Sequence, residues 1–285
     1  MMLSRVKLMV LGVSGAGKTG AVVSLAAAGY RVYIFDFEDG APIIKNIVRD
    51  KYPKLTISDN DNPEIADINI LKLSNDFVSV GFEPRREKNG WEKHKQALAN
   101  WKKKRAVGDP YWLYTLGPKD VIVYDTASGW CDLVYDYVLN LNSRTDPIQK
   151  DYKQMQDQMD FYCRLLASDS CKANWIMNAH IANFREGGTS EDKRDAQGNV
   201  QRIQIGGVDV GFPKTTGQTL SKSIGRHFND TLFLTMEPGM KGDKHIFTTQ
   251  PDGIVRVKTS SPFSVKKSYP IETGLADYFK DVRGE

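Results

Sequence analysis

Val6-Lys7-Leu8-Met9-Val10-Leu11-Gly12-Val13-Ser14-Gly15-Ala16-Gly17-Lys18-Thr19-Gly20 decides the fold, because an apolar strand runs straight into a complete G-x-x-x-x-G-K-T loop. Its glycines let the backbone turn with N–H groups pointing inward, so residues 12 to 20 form a cradle for phosphate. Lys18 reaches toward the β- and γ-phosphates, and Thr19 offers a hydroxyl to Mg²⁺. Residues 19 to 28, rich in Ala, Val and Leu, continue as a helix whose positive end faces the phosphates, and Gly29 stops it. The ligand implied is a nucleoside triphosphate.

Working outward, Arg31-Val32-Tyr33-Ile34-Phe35-Asp36 completes a βαβ unit and leads to Phe37-Glu38. Asp39-Gly40-Ala41-Pro42 then starts a helix whose buried face is Ile43, Ile44, Ile47 and Val48. Val121-Ile122-Val123-Tyr124-Asp125-Thr126 is a second buried strand ending in an acid, the Walker B pattern. This strand is expected beside the first one, with Asp125 across from Thr19 as the other Mg²⁺ holder; Ser128 either adds a polar contact or caps the next helix. Helices follow at 130–142 and 147–170, the second with Tyr152, Met155, Met159, Tyr162, Cys163 and Leu166 along a stripe. Trp175-Ile176-Met177-Asn178-Ala179-His180-Ile181 reads as a buried strand with a polar end. Weaker strand signals lie at 68–73, 230–236, 244–249 and 254–258, the last two joined as a hairpin at Pro251-Asp252-Gly253. A short helix near 220–226 and a closing helix at about 272–282 complete the pattern. The fold class is α/β in three layers: a mostly parallel central sheet with antiparallel strands toward the C-terminus, in one domain over residues 1–285.

Forty per cent hydrophobic and 26% charged residues describe an ordinary soluble chain, and no apolar run reaches membrane-span length. The apolar start runs into the phosphate loop, so cleaving it as a signal peptide would destroy the loop, and no secretion is expected. Cys131, Cys163 and Cys171 lack zinc spacing and fit reduced thiols in a cytoplasm. A net charge of +4 is too mild to prove a polyanionic partner. Its distribution is more telling. A basic helical insertion at about 82–118 carries Arg85, Arg86, Lys88, Lys93, Lys95, Lys102, Lys103, Lys104 and Arg105 with Trp91 and Trp101 interleaved. A helix at 91–106 would be either a solvated helix docked by its tryptophans or a nucleic-acid surface with stacking aromatics. Residues 183–218 read as mobile loops around a hairpin.

Triphosphate hydrolysis needs phosphate clamps, a magnesium holder and a group that aims the attacking water. Glu38, after the second strand, is the candidate for that third part, with a turn carboxylate as the alternative; Asp36 points the same way but lies deeper. No N-K-x-D guanine reader follows a strand, so ATP is the expected nucleotide.

IFDFEDG, VIVYDTASGW and WIMNAHI, in order behind GVSGAGKT, resemble the core motifs of RecA-like ATPases, most closely the short bacteriophage recombination type, the Sak-type single-strand annealing ATPases. The resemblance spans roughly residues 5 to 260 and implies Lys18 and Thr19 as loop ligands, Glu38 as catalytic glutamate, Asp125 as the Walker B acid and His180 as γ-phosphate sensor. RecA itself usually has glutamine at the sensor place, and a hydrogen-bonded strand-end histidine is the alternative. The stretch after His180 matches the order of DNA-binding loops, which makes Arg185, Lys193, Arg194, Arg202 and Lys214 candidate phosphate contacts and Phe184 and Phe212 candidate stacking residues. Rings or filaments are implied, with Lys222 or Arg226 reaching a neighbour's γ-phosphate; each also fits a plain surface charge. The loop begins at residue 12, so single-strand binding and annealing are expected rather than strand exchange through an N-terminal polymerisation segment.

The expected partners are single-stranded DNA, a single-strand-binding or replication protein, and further copies of the chain, in the cytoplasm of a host cell if phage-encoded. Two rival readings remain at this stage. One is a nucleotide-gated interaction factor such as a helicase loader, partitioning or packaging ATPase; the other is a small-molecule kinase.

Overall fold

The computed structural model describes residues 5–59, 65–73, 77–80, 83–86, 89–101, 108–186, 189–194, 200–205, 208–215, 217–237, 244–250, 255 and 257–285, with side chains left out at 77–80, 83–86, 185–186, 189–194 and 200–208. β1 (Lys7–Gly12) leads through the glycine loop into α1 (Lys18–Ala21) and α2 (Val23–Ala27), two short helices where one was expected. β2 (Arg31–Asp36), α3 (Ala41–Lys51), β3 (Ile57–Ser58) and β4 (Ile68–Lys72) follow. A hairpin of β5 (Phe77–Val80) and β6 (Glu83–Arg86) precedes α4 (Gly90–Asn100). Next come β7 (Asp120–Asp125), α5 (Ala127–Leu141), α6 (Gln149–Ala167) and β8 (Asn174–Ala179). The remainder is β9 (Ile181–Glu186), β10 (Thr189–Arg194), β11 (Val200–Ile205), β12 (Val208–Pro213), α7 (Gly217–Ser223), β13 (Asp230–Glu237), β14 (Lys244–Thr248), β15 (Ser268–Pro270) and α8 (Gly274–Arg283).

Nine strands form one sheet in the order β15-β14-β13-β1-β8-β7-β2-β4-β3, parallel from β13 to β3 and antiparallel where β14 joins β13 and β15. Period-two alternation builds a core on each face. Leu8, Val10, Val32, Ile34, Val121 and Val123 meet α1, α2, α3 and α8; Met9, Leu11, Tyr33, Phe35, Ile122 and Tyr124 meet α4, α5 and α6. The chain is therefore a three-layer α/β fold with its phosphate loop at the C-terminal end of a central strand.

The topology corrects one expectation about the site. β7 does not lie beside β1, because β8 stands between them and is hydrogen-bonded to both. All six residues of β8 are buried, so its backbone groups need partners on both edges, and the central position supplies them. Consequently the strand end that carries Asn178 and His180 is wedged between the phosphate loop and Asp125.

Further differences have local causes. α4 stops at Asn100, and the basic run at 102–107 lies outside the described residues. Trp91 stacks on His94 at 4.8 Å and Trp101 on Trp112 at 4.9 Å, both tryptophans buried. They dock the insertion and are not available to bases. On α3, Ile44 and Val48 are buried, but Ile43 is 53% exposed. Tyr152 of the α6 stripe is also exposed. The loops expected at 183–218 are mostly ladders: β9 pairs with β12 and β10 with β11, which satisfies backbone groups that loops would leave to solvent. Among the described residues the expected hairpin of 244–249 with 254–258 is not seen, and both edges of β14 are taken by β13 and β15; Val255 and Lys258 make single bridges to Gly211 and Thr231, and residues 251–254 and 256 lie outside the described residues.

Candidate active site

At the end of β1 the chain enters left-handed backbone twice, at Gly15 (φ 77°) and Gly17 (φ 99°). Gly17 is required twice over, since a Cβ there would sit 2.6 Å from Ile271 Cδ1. The loop curls around a cavity of about 340 Å³ bounded by Ser14, Gly15, Gly17, Lys18, Thr19, Gly20, Glu38, Asp39, Gly40, Ile43, Asp125, Thr126 and His180. Lys18, Thr19, Glu38, Asp125 and His180, called from sequence out of four separate segments, share this one space.

Lys18 is buried and its ammonium donates to the carbonyls of Gly12 (2.8 Å) and Val13 (2.9 Å). Burial lowers its pKa, with Asp125 and Glu38 pulling the other way. Thr19 Oγ1 donates to Asp125 Oδ2 at 2.6 Å, and Asn178 Nδ2 donates to Oδ1 of the same carboxylate at 2.9 Å. Burial pushes the Asp125 carboxyl up despite these two bonds. A group in that state gains from a cation. Close approach is built in, because a Cβ on Gly40 would stand 2.9 Å from Thr19 Cγ2 and 3.0 Å from Asp125 Oδ2.

Glu38 is held from three sides. Thr126 Oγ1 (2.5 Å) and Ser128 Oγ (2.8 Å) donate to its Oε1, while His180 Nε2 donates to Oε2 at 3.2 Å. Burial opposes its charge, yet these hydrogen bonds outweigh it and keep the carboxyl below its ordinary value. Glu38 is thus a carboxylate at neutral pH. With Nε2 donating to Glu38, His180 Nδ1 is left to face the Lys18 ammonium, 3.5 Å away. Asp36, deeper as expected, shapes the turn that presents Glu38: its carboxylate accepts from the N–H groups of Gly40 (2.9 Å), Ala41 (3.0 Å) and Glu38 (3.3 Å).

Asn178 and Thr126 were not among the candidates the sequence offered. Asn178 looked like core but faces Asp125; its signal was its place two residues before His180, on the same side of a strand. Thr126 caps α5 by accepting from Gly129 N, the role offered to Ser128, and Ser128 makes the polar contact to Glu38 instead.

Other candidates lie elsewhere. Lys222 and Arg226 line a separate cavity of about 590 Å³ with Met9, Leu11 and Phe212; Lys222 sits over the Phe212 ring and Arg226 binds Asp160. Phe212 is buried with its ring 5.8 Å from Phe184, so it cannot stack on a base. Lys214 is exposed and its N–H donates to His180 O at 2.7 Å. Arg185, Lys193, Arg194 and Arg202 lie on β9, β10 and β11, with side chains outside the described residues.

Mg²⁺ fits the donors at the loop: a hydroxyl and a carboxylate are hard oxygen ligands, already 2.6 Å apart. Among the described residues no group of three or more His, Cys, Asp or Glu could hold a metal unaided.

No family model and no curated protein matches this chain. Two solved structures share its general trace at 10% identity and TM-score 0.41. One is flagellar accessory protein FlaH from Methanocaldococcus jannaschii (96% of this chain, 89% of that one); the other is KaiC-like protein PH0186 from Pyrococcus horikoshii OT3 (94% of each). So slight a likeness carries no argument. The functional reading rests on the site alone. Among the described residues no helix is long and apolar enough to cross a membrane.

Proposed function

We propose that this chain is a RecA-like ATPase that binds ATP with Mg²⁺, hydrolyses it, and couples the cycle to single-stranded DNA in annealing or recombination of the bacteriophage type. One observation carries the ATPase part: the loop cradle, the Thr19–Asp125 pair and the ionised Glu38 converge on a single cavity. Backbone amides and Lys18 grip the triphosphate, and Thr19 and Asp125 hold Mg²⁺, which neutralises phosphate charge when bound. Glu38 accepts a hydrogen bond from a water lined up with the γ-phosphorus and takes its proton as the new P–O bond forms. The bond from phosphorus to the β-bridging oxygen breaks, leaving ADP and phosphate. His180 orients Glu38 and touches Lys18, and so registers the terminal phosphate.

A smaller cavity of about 140 Å³ adjoins the first through Gly17, Gly20 and Ile43, with Ile47, Tyr52 and Ile271 as apolar walls. It suits a flat base. Support for the DNA part is that the paired strands β9 to β12, which begin just after His180, carry Arg185, Lys193, Arg194 and Arg202, although Glu186, Glu191, Asp192 and Asp209 balance them in charge. Rings or filaments, with Lys222 or Arg226 acting on a neighbour, remain part of this proposal. Buried Phe212 removes one candidate stacking residue, and the second reading is that the same ATP cycle gates a protein partner.

The test is ATP turnover by the native chain, Lys18→Ala and Glu38→Gln, with and without single-stranded DNA across a salt series. Glu38→Gln should bind ATP yet lose most turnover, and DNA should stimulate with a steep salt slope. Unchanged turnover in Glu38→Gln removes Glu38 from the mechanism. A protein partner held only in ATP, with no DNA effect, selects the second reading.

A further inference from the structure

The antiparallel edge of the sheet reaches back to the phosphate loop. His245 on β14 lies 2.7 Å, through Nδ1, from the carbonyl oxygen of Ala16 in the middle of the loop. A carbonyl only accepts, so Nδ1 carries the hydrogen and donates it. We propose that His245 is a positioning residue that sets the phosphate loop in its binding shape by tethering the Ala16 carbonyl from outside the cavity.

One peptide plane carries the effect. In a trans peptide the carbonyl and the following N–H point in opposite directions, so fixing Ala16 C=O fixes Gly17 N–H the other way. Gly17 lines the phosphate cavity, whereas His245 does not. A pull on the carbonyl from the sheet edge therefore turns that N–H toward the phosphates. The plane needs such a hold because Gly17 sits at φ 99°, in a residue type free to leave it.

His245 is itself anchored. It faces Met236 in the β13–β14 ladder, and its own carbonyl accepts from Ile271 N at 3.1 Å just beyond β15. Ile271 adds a second contact, its Cδ1 packed where a Gly17 Cβ would be. Two side chains, His245 on β14 and Ile271 just past β15, thus close on consecutive loop residues, Ala16 and Gly17.

This inference rests on the cavity being a triphosphate site, and the test separates the two ideas. Tripolyphosphate and MgATP binding are measured by calorimetry for the native chain, His245→Phe, His245→Asn and Lys18→Ala, with thermal melting of each. His245→Phe keeps a ring without the donor and should weaken binding about five- to tenfold, the worth of one neutral hydrogen bond. Asparagine places an N–H near the Nδ1 position and should recover affinity to within about twofold, since it restores that same bond. Turnover at saturating ATP should be unchanged in both. If the phenylalanine variant fails to fold, His245→Ala must show the same loss and the same contrast with asparagine. Native affinity without the donor, or no recovery with asparagine while Lys18→Ala loses binding, overturns the role of His245. Native affinity in Lys18→Ala overturns the triphosphate site itself.

Discussion

Replacing Asn178 with leucine separates the electrostatics of the magnesium carboxylate from its packing. Asn178 is fully buried, and its Nδ2 is one of two donors to Asp125, at 2.9 Å, with the Thr19 hydroxyl serving the other oxygen. Burial already favours the protonated form of Asp125. A hydrogen bond to a charged group is worth about 1.5–3 kcal/mol, so its loss should weaken Mg²⁺ binding by about 10- to 150-fold where protons compete. The sign follows from the raised pKa: the carboxylate accepts the cation above that value and loses it as pH falls through it. The variant must meet this loss at a higher pH. Folding stability should fall by about 1–3 kcal/mol, because the buried Asp125 carboxylate loses a donor, while leucine also removes Asn178 Oδ1, an acceptor with no partner among the described residues. Mg²⁺ titrations of ATP turnover at mildly acidic and mildly alkaline pH, with urea unfolding alongside, make the measurement. Identical Mg²⁺ dependence of variant and native chain on the acid side would refute the reasoning.

Removing both hydroxyls that hold Glu38, in Thr126→Val with Ser128→Ala, should lower kcat/KM by more than about tenfold and move the acid limb of the pH–rate profile upward, since both bonds favour its charged form; an unmoved limb would count against it. His94 is buried against Tyr124 with its pKa held down to about 3 from 6.5 by burial, so it stays neutral when folded and protonates when unfolded. Folding stability should fall by about 1.4 kcal/mol per pH unit below that unfolded value, and His94→Phe should flatten this slope in urea titrations even if it costs stability overall. An equal slope in the variant would place the acid sensitivity elsewhere.

The glycine loop was legible because its chemistry is local: Gly15 and Gly17 occupy backbone that other residues avoid, and Lys18 and Thr19 follow at fixed spacing. Asp125 and Glu38 were legible through strand patterning that ends in an acid. Strand order was not, because an apolar run such as Trp175-Ile176-Met177 states only that it is buried and leaves open which neighbours bury it. That ambiguity hid Asn178, whose partner comes from a segment 53 residues away. Thr126 was not singled out and Ser128 was left between a cap and a polar contact, because their partner Glu38 lies 88 and 90 residues earlier in the chain.

Because β8 is bonded along both flanks, the side chains at 178 and 180 ride on one stiff support. One touches the carboxylate for the metal and the other touches Glu38 and Lys18. On the proposed ATPase reading the two ends bind Mg²⁺ and the terminal phosphate together, and thermodynamic reciprocity then requires that whatever factor the phosphate adds to Mg²⁺ affinity, Mg²⁺ returns to the phosphate.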